Sequence, residues 1–171
     1  MSKKLSIKGL VVEAQKPTGE WFTIVHGVDV EVKAGEVVAL IGESGAGKTT
    51  VALGALAYSR PGTRIVGGSV HLDGVDLLSL GKNQRRKIRG KKVAYVAQSA
   101  SAALNPVIKL GRQVTESLRV HDILKASQWN ERVMELFGLL DLPVPEELAD
   151  RYPHQVSGGQ QQRVMTAMAM A

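Results

Sequence analysis

Residues 42–49 read Gly42-Glu43-Ser44-Gly45-Ala46-Gly47-Lys48-Thr49 and are followed by Thr50. The spacing is that of the phosphate-binding loop G-x-x-x-x-G-K-[ST], and each fixed residue type has a mechanical reason. Glycines lack the Cβ that would stop successive backbone N–H groups from turning inward around a phosphate chain. Lys48 adds a point charge for the β and γ phosphates, and the hydroxyl of Thr49 is a hard oxygen ligand for Mg²⁺. The apolar run Glu36–Ile41 directly upstream reads as a buried strand, and Thr50–Leu56 downstream reads as a helix. Strand, loop and helix is the setting such a loop requires, with the helix N-terminal dipole added at the phosphates.

A second run with chemical content is Gln155-Val156-Ser157-Gly158-Gly159-Gln160-Gln161-Gln162-Arg163. Ser157 followed by Gln160 forms an S-x-x-Q capping box, and the apolar residues from Val164 to Ala169 continue it as a helix. Gly158 and Gly159 leave the first-turn N–H groups sterically open. Read alone, this is either an ordinary capped helix or a second anion-binding helix start.

The elements that must position these runs are of two kinds. Strand-like segments dominate the first part: Leu5–Ala14, Phe22–His26, the alternating Val28–Val32, Gly67–Gly74 and Val93–Ala97. From about Pro106 the pattern becomes helical. Leu110, Val114 and Leu118 lie at i, i+4 and i+8, and Trp129, Val133, Leu136, Phe137 and Leu140 share one face, read as core packing. Leu142-Pro143-Val144-Pro145 interrupts the chain before a last helical stretch.

Composition narrows the classes. With 171 residues, 44% of them hydrophobic, the chain suffices for one globular domain with a core. No cysteine is present, which excludes disulfides, cysteine nucleophiles and thiolate metal sites. No apolar run approaches the roughly 18 residues of a transmembrane helix. Met1–Ser6 carries two lysines without an apolar stretch behind them, so it does not read as a secretory signal. The net charge of +6 is concentrated between Lys82 and Lys92, at Lys82, Arg85, Arg86, Lys87, Arg89, Lys91 and Lys92. This window is either a nucleic-acid or anionic-lipid patch or a solvated surface helix and turn. No aromatic is interleaved to stack on bases.

Together these runs resemble the ATP-binding subunits of ABC transporters. Val156-Ser157-Gly158-Gly159-Gln160 is similar to that family's signature LSGGQ, with Val in place of the first Leu. Gln98, closing the strand-like Val93–Ala97, is placed like the family's Q-loop glutamine. Ala103-Leu104-Asn105-Pro106, Tyr152-Pro153-His154-Gln155 and the stretch Arg86–Lys92 resemble the oligopeptide and dipeptide importer branch, which includes peptide, nickel and glutathione uptake systems.

The resemblance implies an α/β fold: a P-loop NTPase core of ABC ATPase type with an antiparallel β subdomain and a helical subdomain, in truncated form. Residues 1–97 would be the P-loop core and β subdomain, 98–160 the mainly helical subdomain, and 161–171 the start of a return to the core. It implies ATP and Mg²⁺ as cofactors. Gly42, Glu43, Ser44, Gly45, Ala46, Gly47, Lys48, Thr49 and Thr50 would hold phosphates, with Thr49 and Gln98 reaching the metal. Ser157, Gly158, Gly159 and Gln160 would serve the nucleotide held by a partner. An adenine-stacking aromatic would be Trp21 or Phe22.

The implied partners are a second ATP-binding domain in a homo- or heterodimer, transmembrane permease subunits touched by the segment after Gln98, and indirectly a solute-binding protein. The implied location is peripheral, on the cytoplasmic face of the cell membrane, without nucleic acid. In the family, a strand ending in the Walker B aspartate and a catalytic glutamate follow the signature. No such strand occurs up to Ala171, and His26, His71, His121 and His154 do not match the switch histidine. No catalytic residue is therefore assigned, and residues 1–171 alone are expected to bind nucleotide without useful turnover and to be poorly stable. The competing expectations are a soluble ABC-type ATPase acting on nucleic acid and a non-catalytic nucleotide-binding module.

Overall fold

The computed structural model describes residues 3–171, which divide into two compact units, one ending at Arg86 and the other beginning at Lys87. The first unit is built on a four-stranded antiparallel sheet in the order β2-β1-β3-β4. Its strands are β1 (Lys3–Gln15), β2 (Trp21–Lys33), β3 (Thr63–Leu72) and the two-residue β4 (Val75–Asp76). One helix, α1 (Lys48–Gly54), lies between β2 and β3 in the chain. Alternation of β-branched and polar residues puts Ile7, Leu10, Val12, Val25, Val70 and Leu72 on the buried side. Val51 and Leu53 of α1 are buried in the same unit.

Two segments read from sequence as separate strands, Phe22–His26 and Val28–Val32, are one strand. Leu10 pairs with Val28 and Val11 with His26, so Gly27 is the extra residue of a bulge. The local signal for a turn at Gly27 marks a kink within β2, because β1 pairs on both sides of it.

The expected strands at Glu36–Ile41 and Val93–Ala97 are a second correction. Among the described residues neither pairs into a sheet, apart from one isolated bridge between Arg89 and Val93. Val37 and Ile41 are each 94% exposed. Their sequences suit strands covered on both faces, but a strand also needs neighbours on its edges. None of the described residues supplies them.

The helix α2 (Lys82–Ile88) carries much of the basic window and buries none of its residues. Of its cations only Arg85 is partly buried, its Nη1 donating to the Ala57 carbonyl at 3.3 Å. Lys82, Arg86 and Lys87 of this helix are exposed. None of the described helices is long and apolar enough to cross a membrane.

The second unit is helical: α3 (Ala100–Ala103), α4 (Leu110–His121), α5 (Trp129–Leu139), α6 (Pro145–Asp150) and α7 (Gly158–Met170). Leu110 and Val114 of α4, Val133, Leu136 and Phe137 of α5, Leu148 of α6, and Val164, Met165 and Ala167 of α7 form one cluster. Leu118 of α4 is fully buried as well. The α5 stripe is narrower than its periodicity suggests. Trp129 sits half-buried at its edge, its Nε1 donating to the Leu124 carbonyl at 3.0 Å, and Leu140 follows the helix end and is only partly covered. A ring with a polar handle settles where that handle finds an acceptor.

Where α4 meets α6, Gly111 allows the approach. A Cβ there would stand 2.9 Å from Ala149 Cβ and 3.1 Å from the Ala149 carbonyl oxygen. The Leu110 N–H donates to the Arg151 carbonyl at 2.9 Å, and Lys109 pairs with Asp150 at 2.8 Å on the surface. The hydrogen bond to Asp150, and then its charge, raise the pKa of Lys109 above the usual lysine value. Gly111→Ala sets a helix-propensity gain of about 1 kcal/mol against an overpacking cost of about 1–3 kcal/mol. We expect a net loss of about 1 kcal/mol, read by urea unfolding of the native gene product. An unchanged or raised midpoint would mean that α4 and α6 separate at no cost.

Candidate nucleotide-binding site

The phosphate-binding loop is shaped by its own backbone. Gly47 caps α1 in the left-handed region (φ 83°), where a side chain would be strained. A Cβ on Gly47 would also lie 3.1 Å from the Ile24 carbonyl oxygen, so the loop is seated against β2. Gly45, with φ 87°, has open space where its Cβ would point. Lys48 is the first residue of α1, and its ammonium reaches back to donate to the carbonyls of Gly42, at 2.7 Å, and Glu43. The charge is thereby held by the loop that would wrap a phosphate. No side chain caps the start of α1. Thr49 is exposed and Thr50 half-buried.

The signature-like run begins α7 in the way its sequence predicts. Ser157 Oγ accepts from the Gln160 N–H at 3.3 Å, and Gln160 Oε1 accepts from the Ser157 N–H at 2.9 Å. In accepting that bond the Ser157 hydroxyl keeps its own proton to donate. Ser157, Gly158 and Gly159 are exposed. Neither Gly158 nor Gly159 has a positive φ, and a Cβ on either would meet nothing within 4 Å. This chain's own packing therefore asks for glycine at neither position.

The side chains that hold this helix start in place were not singled out from the sequence. Gln161 Nε2 donates to the Pro153 carbonyl at 2.8 Å, Gln162 Nε2 to Ala97 at 3.3 Å, and Arg163 Nη1 to Leu140 and Asp141 at 3.3 and 2.7 Å. Successive residues on a helix point about 100° apart, so three long polar side chains reach three different segments. The available signal was a run of long polar residues opening an otherwise apolar helix. Through Gln162, α7 also holds the residue before Gln98, which is itself exposed.

Of the two candidate aromatics, Trp21 has the Arg64 guanidinium 4.0 Å from its ring centroid, and Arg64 also pairs with Glu13 at 2.7 Å. Phe22 is 42% exposed, with the Lys16 ammonium 5.7 Å from its centroid. The loop residues 42–50 thus form one cluster in the first unit. Gln98 and residues 157–160 belong to the second.

Comparison with known proteins bears on what these clusters are. Residues 25–171 match the family described as ABC transporter. The oligopeptide transport ATP-binding protein OppD of Lactococcus lactis subsp. cremoris (strain SK11) is 36% identical over 153 residues, which are 90% of this chain and 45% of that protein. The oligopeptide transport ATP-binding protein AppD of Bacillus subtilis (strain 168) is 39% identical over 148 residues, 86% of this chain and 45% of that one. The chain spans about half the length of these curated relatives. Its fold is similar to the dimeric ATP-binding cassette MJ0796 in a post-hydrolysis state bound to ADP and Pi, with TM-score 0.82 and 27% identity over 98% of this chain and 69% of that one. A second dimeric structure of MJ0796 gives a TM-score of 0.83 at 26% identity, with the same coverage. By this match over residues 25–171, which spans both the loop and the capped helix start, the chain belongs to the ABC transporter family.

Proposed function

We propose that residues 1–171 are the nucleotide-binding portion of an energy-coupling ATPase of an importer for peptides or similar small solutes. The observation that carries this is the clearance at Gly158 and Gly159, over a capped helix start whose open side this chain does not use. Lys48 and residues 42–50 are one half of a phosphate site, and Ser157, Gly158, Gly159 and Gln160 are the half offered to a second ATP-binding domain. In that head-to-tail arrangement the nucleotide phosphates are shared between two helix starts, so binding brings the domains together. OppD and AppD, both named as oligopeptide transport ATP-binding proteins, support the solute class. The dimeric state of MJ0796 supports the paired assembly.

The residues fit ATP with Mg²⁺. The loop presents open space at Gly45 and a lysine charge held at Gly42 and Glu43, and Thr49 and Gln98 are exposed oxygen donors suited to a hard cation. Bound ATP supplies the negative charge that bridges the two halves, and its hydrolysis removes that bridge. Lys48 holds the phosphates in register, while the Ser157 hydroxyl keeps a proton to donate. Neither supplies a general base. The segment after Gln98 faces the permease subunits on the cytoplasmic side of the membrane, and a solute-binding protein acts upstream of them. The helical residues that carry this contact lie within the second unit, which begins at Lys87.

No catalytic residue is assigned within residues 1–171, and this stretch is expected to bind ATP without useful turnover. The test is equilibrium binding of ATP with Mg²⁺ and steady-state hydrolysis, for residues 1–171 beside the native gene product. Binding is expected in both, with turnover by residues 1–171 below about 20% of the native rate, since positioned water and a fully held metal are required. Turnover above that level would refute that expectation. Absence of ATP binding in both would refute the nucleotide reading.

A further inference from the structure

Arg85, on α2, is a half-buried cation without a counter-charge among the described residues. A guanidinium carries several N–H donors. Arg85 uses one of them, in the 3.3 Å bond from Nη1 to the Ala57 carbonyl. That bond is longer than the roughly 2.7–3.2 Å usual for N–H···O. Its Nε is the one enclosed side-chain donor or acceptor without a partner among the described residues. A charge drawn out of water is costly unless it is paired, so an unsatisfied one needs a reason.

The surroundings supply one. Arg85 lines a hollow of about 440 Å³ in the first unit, together with residues 63–68 of β3, Ser59 and Leu78. Small-molecule sites run from about 300 to 1,000 Å³. No carboxylate is among the lining residues. A second arginine lines the hollow, but Arg64 is committed elsewhere, paired with Glu13 at 2.7 Å and set over the Trp21 ring. The Thr63 hydroxyl is committed too, donating to the Arg60 carbonyl at 2.8 Å. Ser59 is half-buried, and its hydroxyl has no partner among the described residues. The open donors are therefore Arg85 and Ser59. Ile65, Val66 and Leu78 add apolar surface beside them.

We propose that this hollow binds a small organic oxyanion, a carboxylate or a phosphomonoester, with its charged head on Arg85 and Ser59 and its organic body against Ile65, Val66 and Leu78. A planar guanidinium presents paired N–H groups that match either head. The exposed cations Lys82, Arg86 and Lys87 of the same helix add attraction at longer range. None of residues 42–50 lines the hollow, so the proposal stands apart from the nucleotide reading.

The test uses the native gene product saturated with ADP and Mg²⁺, which keeps residues 42–50 from taking up the probes. Benzoate and phenyl phosphate are the probes and benzyl alcohol is the uncharged control, each titrated by calorimetry. At least one of the anions is expected to bind with a dissociation constant at or below about 1 mM, and the tighter one identifies the head. Arg85→Gln removes the charge and should weaken that binding at least about tenfold. Its affinity for ADP should stay within about twofold of the parent, which shows the fold to be intact. Arg85→Lys keeps the charge without the fork and should fall between the two. Ser59→Ala should weaken binding about threefold, and it carries the comparison if the Arg85 variants do not fold.

If neither anion binds, the proposal is overturned. Binding that Arg85→Gln and Ser59→Ala leave unchanged lies elsewhere on the protein and overturns it equally. Benzyl alcohol binding as tightly as benzoate would mean that apolar surface rather than charge draws the probe, which is the third result against it.

Discussion

Lys48→Ala is expected to weaken ATP binding by at least about tenfold and to lower hydrolysis by the native gene product by about a hundredfold or more, the usual scale for removing one preorganised charge from a reacting phosphate. The expectation rests on placement. The Lys48 ammonium is held at the carbonyls of Gly42 and Glu43, so it meets the phosphate chain without searching for its position. Its loss leaves two carbonyls in an exposed loop, where water replaces the ammonium at little cost. The melting temperature should therefore stay within about 2 °C of the parent, which separates loss of binding from loss of fold. Lys48→Arg is expected to fail as well, because a planar guanidinium does not reproduce a compact ammonium in a loop closed around it. Isothermal titration with ATP and Mg²⁺, beside a steady-state assay, reads both quantities. An alanine variant that binds and hydrolyses ATP within threefold of the parent would remove residues 42–50 from the site.

The parts of this site that were legible from sequence are those whose chemistry is local. The loop at residues 42–49 announces itself because each fixed residue answers a requirement met within a few residues of it. The box at Ser157 and Gln160 is legible for the same reason, since both of its hydrogen bonds close within one turn. The stripe Leu110, Val114 and Leu118 needed only helical periodicity, and all three are fully buried.

What was not legible depends on distant partners. The Gly27 bulge looks like a turn until β1 is seen pairing on both sides of it. Glu36–Ile41 looks like a strand until no neighbour is found for it among the described residues. Gln113 shares the buried side of α4 with Leu110 and Val114, yet nothing local says that its amide holds a turn that ends before the helix begins. Gln161, Gln162 and Arg163 reach Pro153, Ala97 and Asp141, separations that periodicity does not address. Of the two readings of residues 155–163, the capped helix is seen in the hydrogen bonds of Ser157 and Gln160, and the anion site is what we propose beside it. The cap satisfies the helix, and the glycines beside it leave the clearance.

That double character sets the second large effect, the response to Gly158→Asp. Gly158 opens α7 with an ordinary φ and open space around its would-be Cβ, so the substitution strains nothing. An aspartate in the first turn is favoured by the helix dipole by about 0.3–1 kcal/mol, and aspartate exceeds glycine in helix propensity. The variant should be at least as stable as the parent. ATP binding to the isolated subunit should also be unchanged within about twofold, since residues 42–50 are intact. The ATP-dependent dimer is where the loss falls. The new carboxylate would stand where the partner's nucleotide phosphates approach, and juxtaposed like charges at an interface cost several kcal/mol, enough to weaken dimerisation by about a hundredfold or more. Analytical ultracentrifugation with ATP, beside a thermal melt, reads the two halves of the prediction together. A structural role for Gly158 would couple them, lowering stability along with dimerisation. A stable variant that dimerises normally with ATP would mean that the start of α7 does not face a nucleotide, and the head-to-tail arrangement would fall with it.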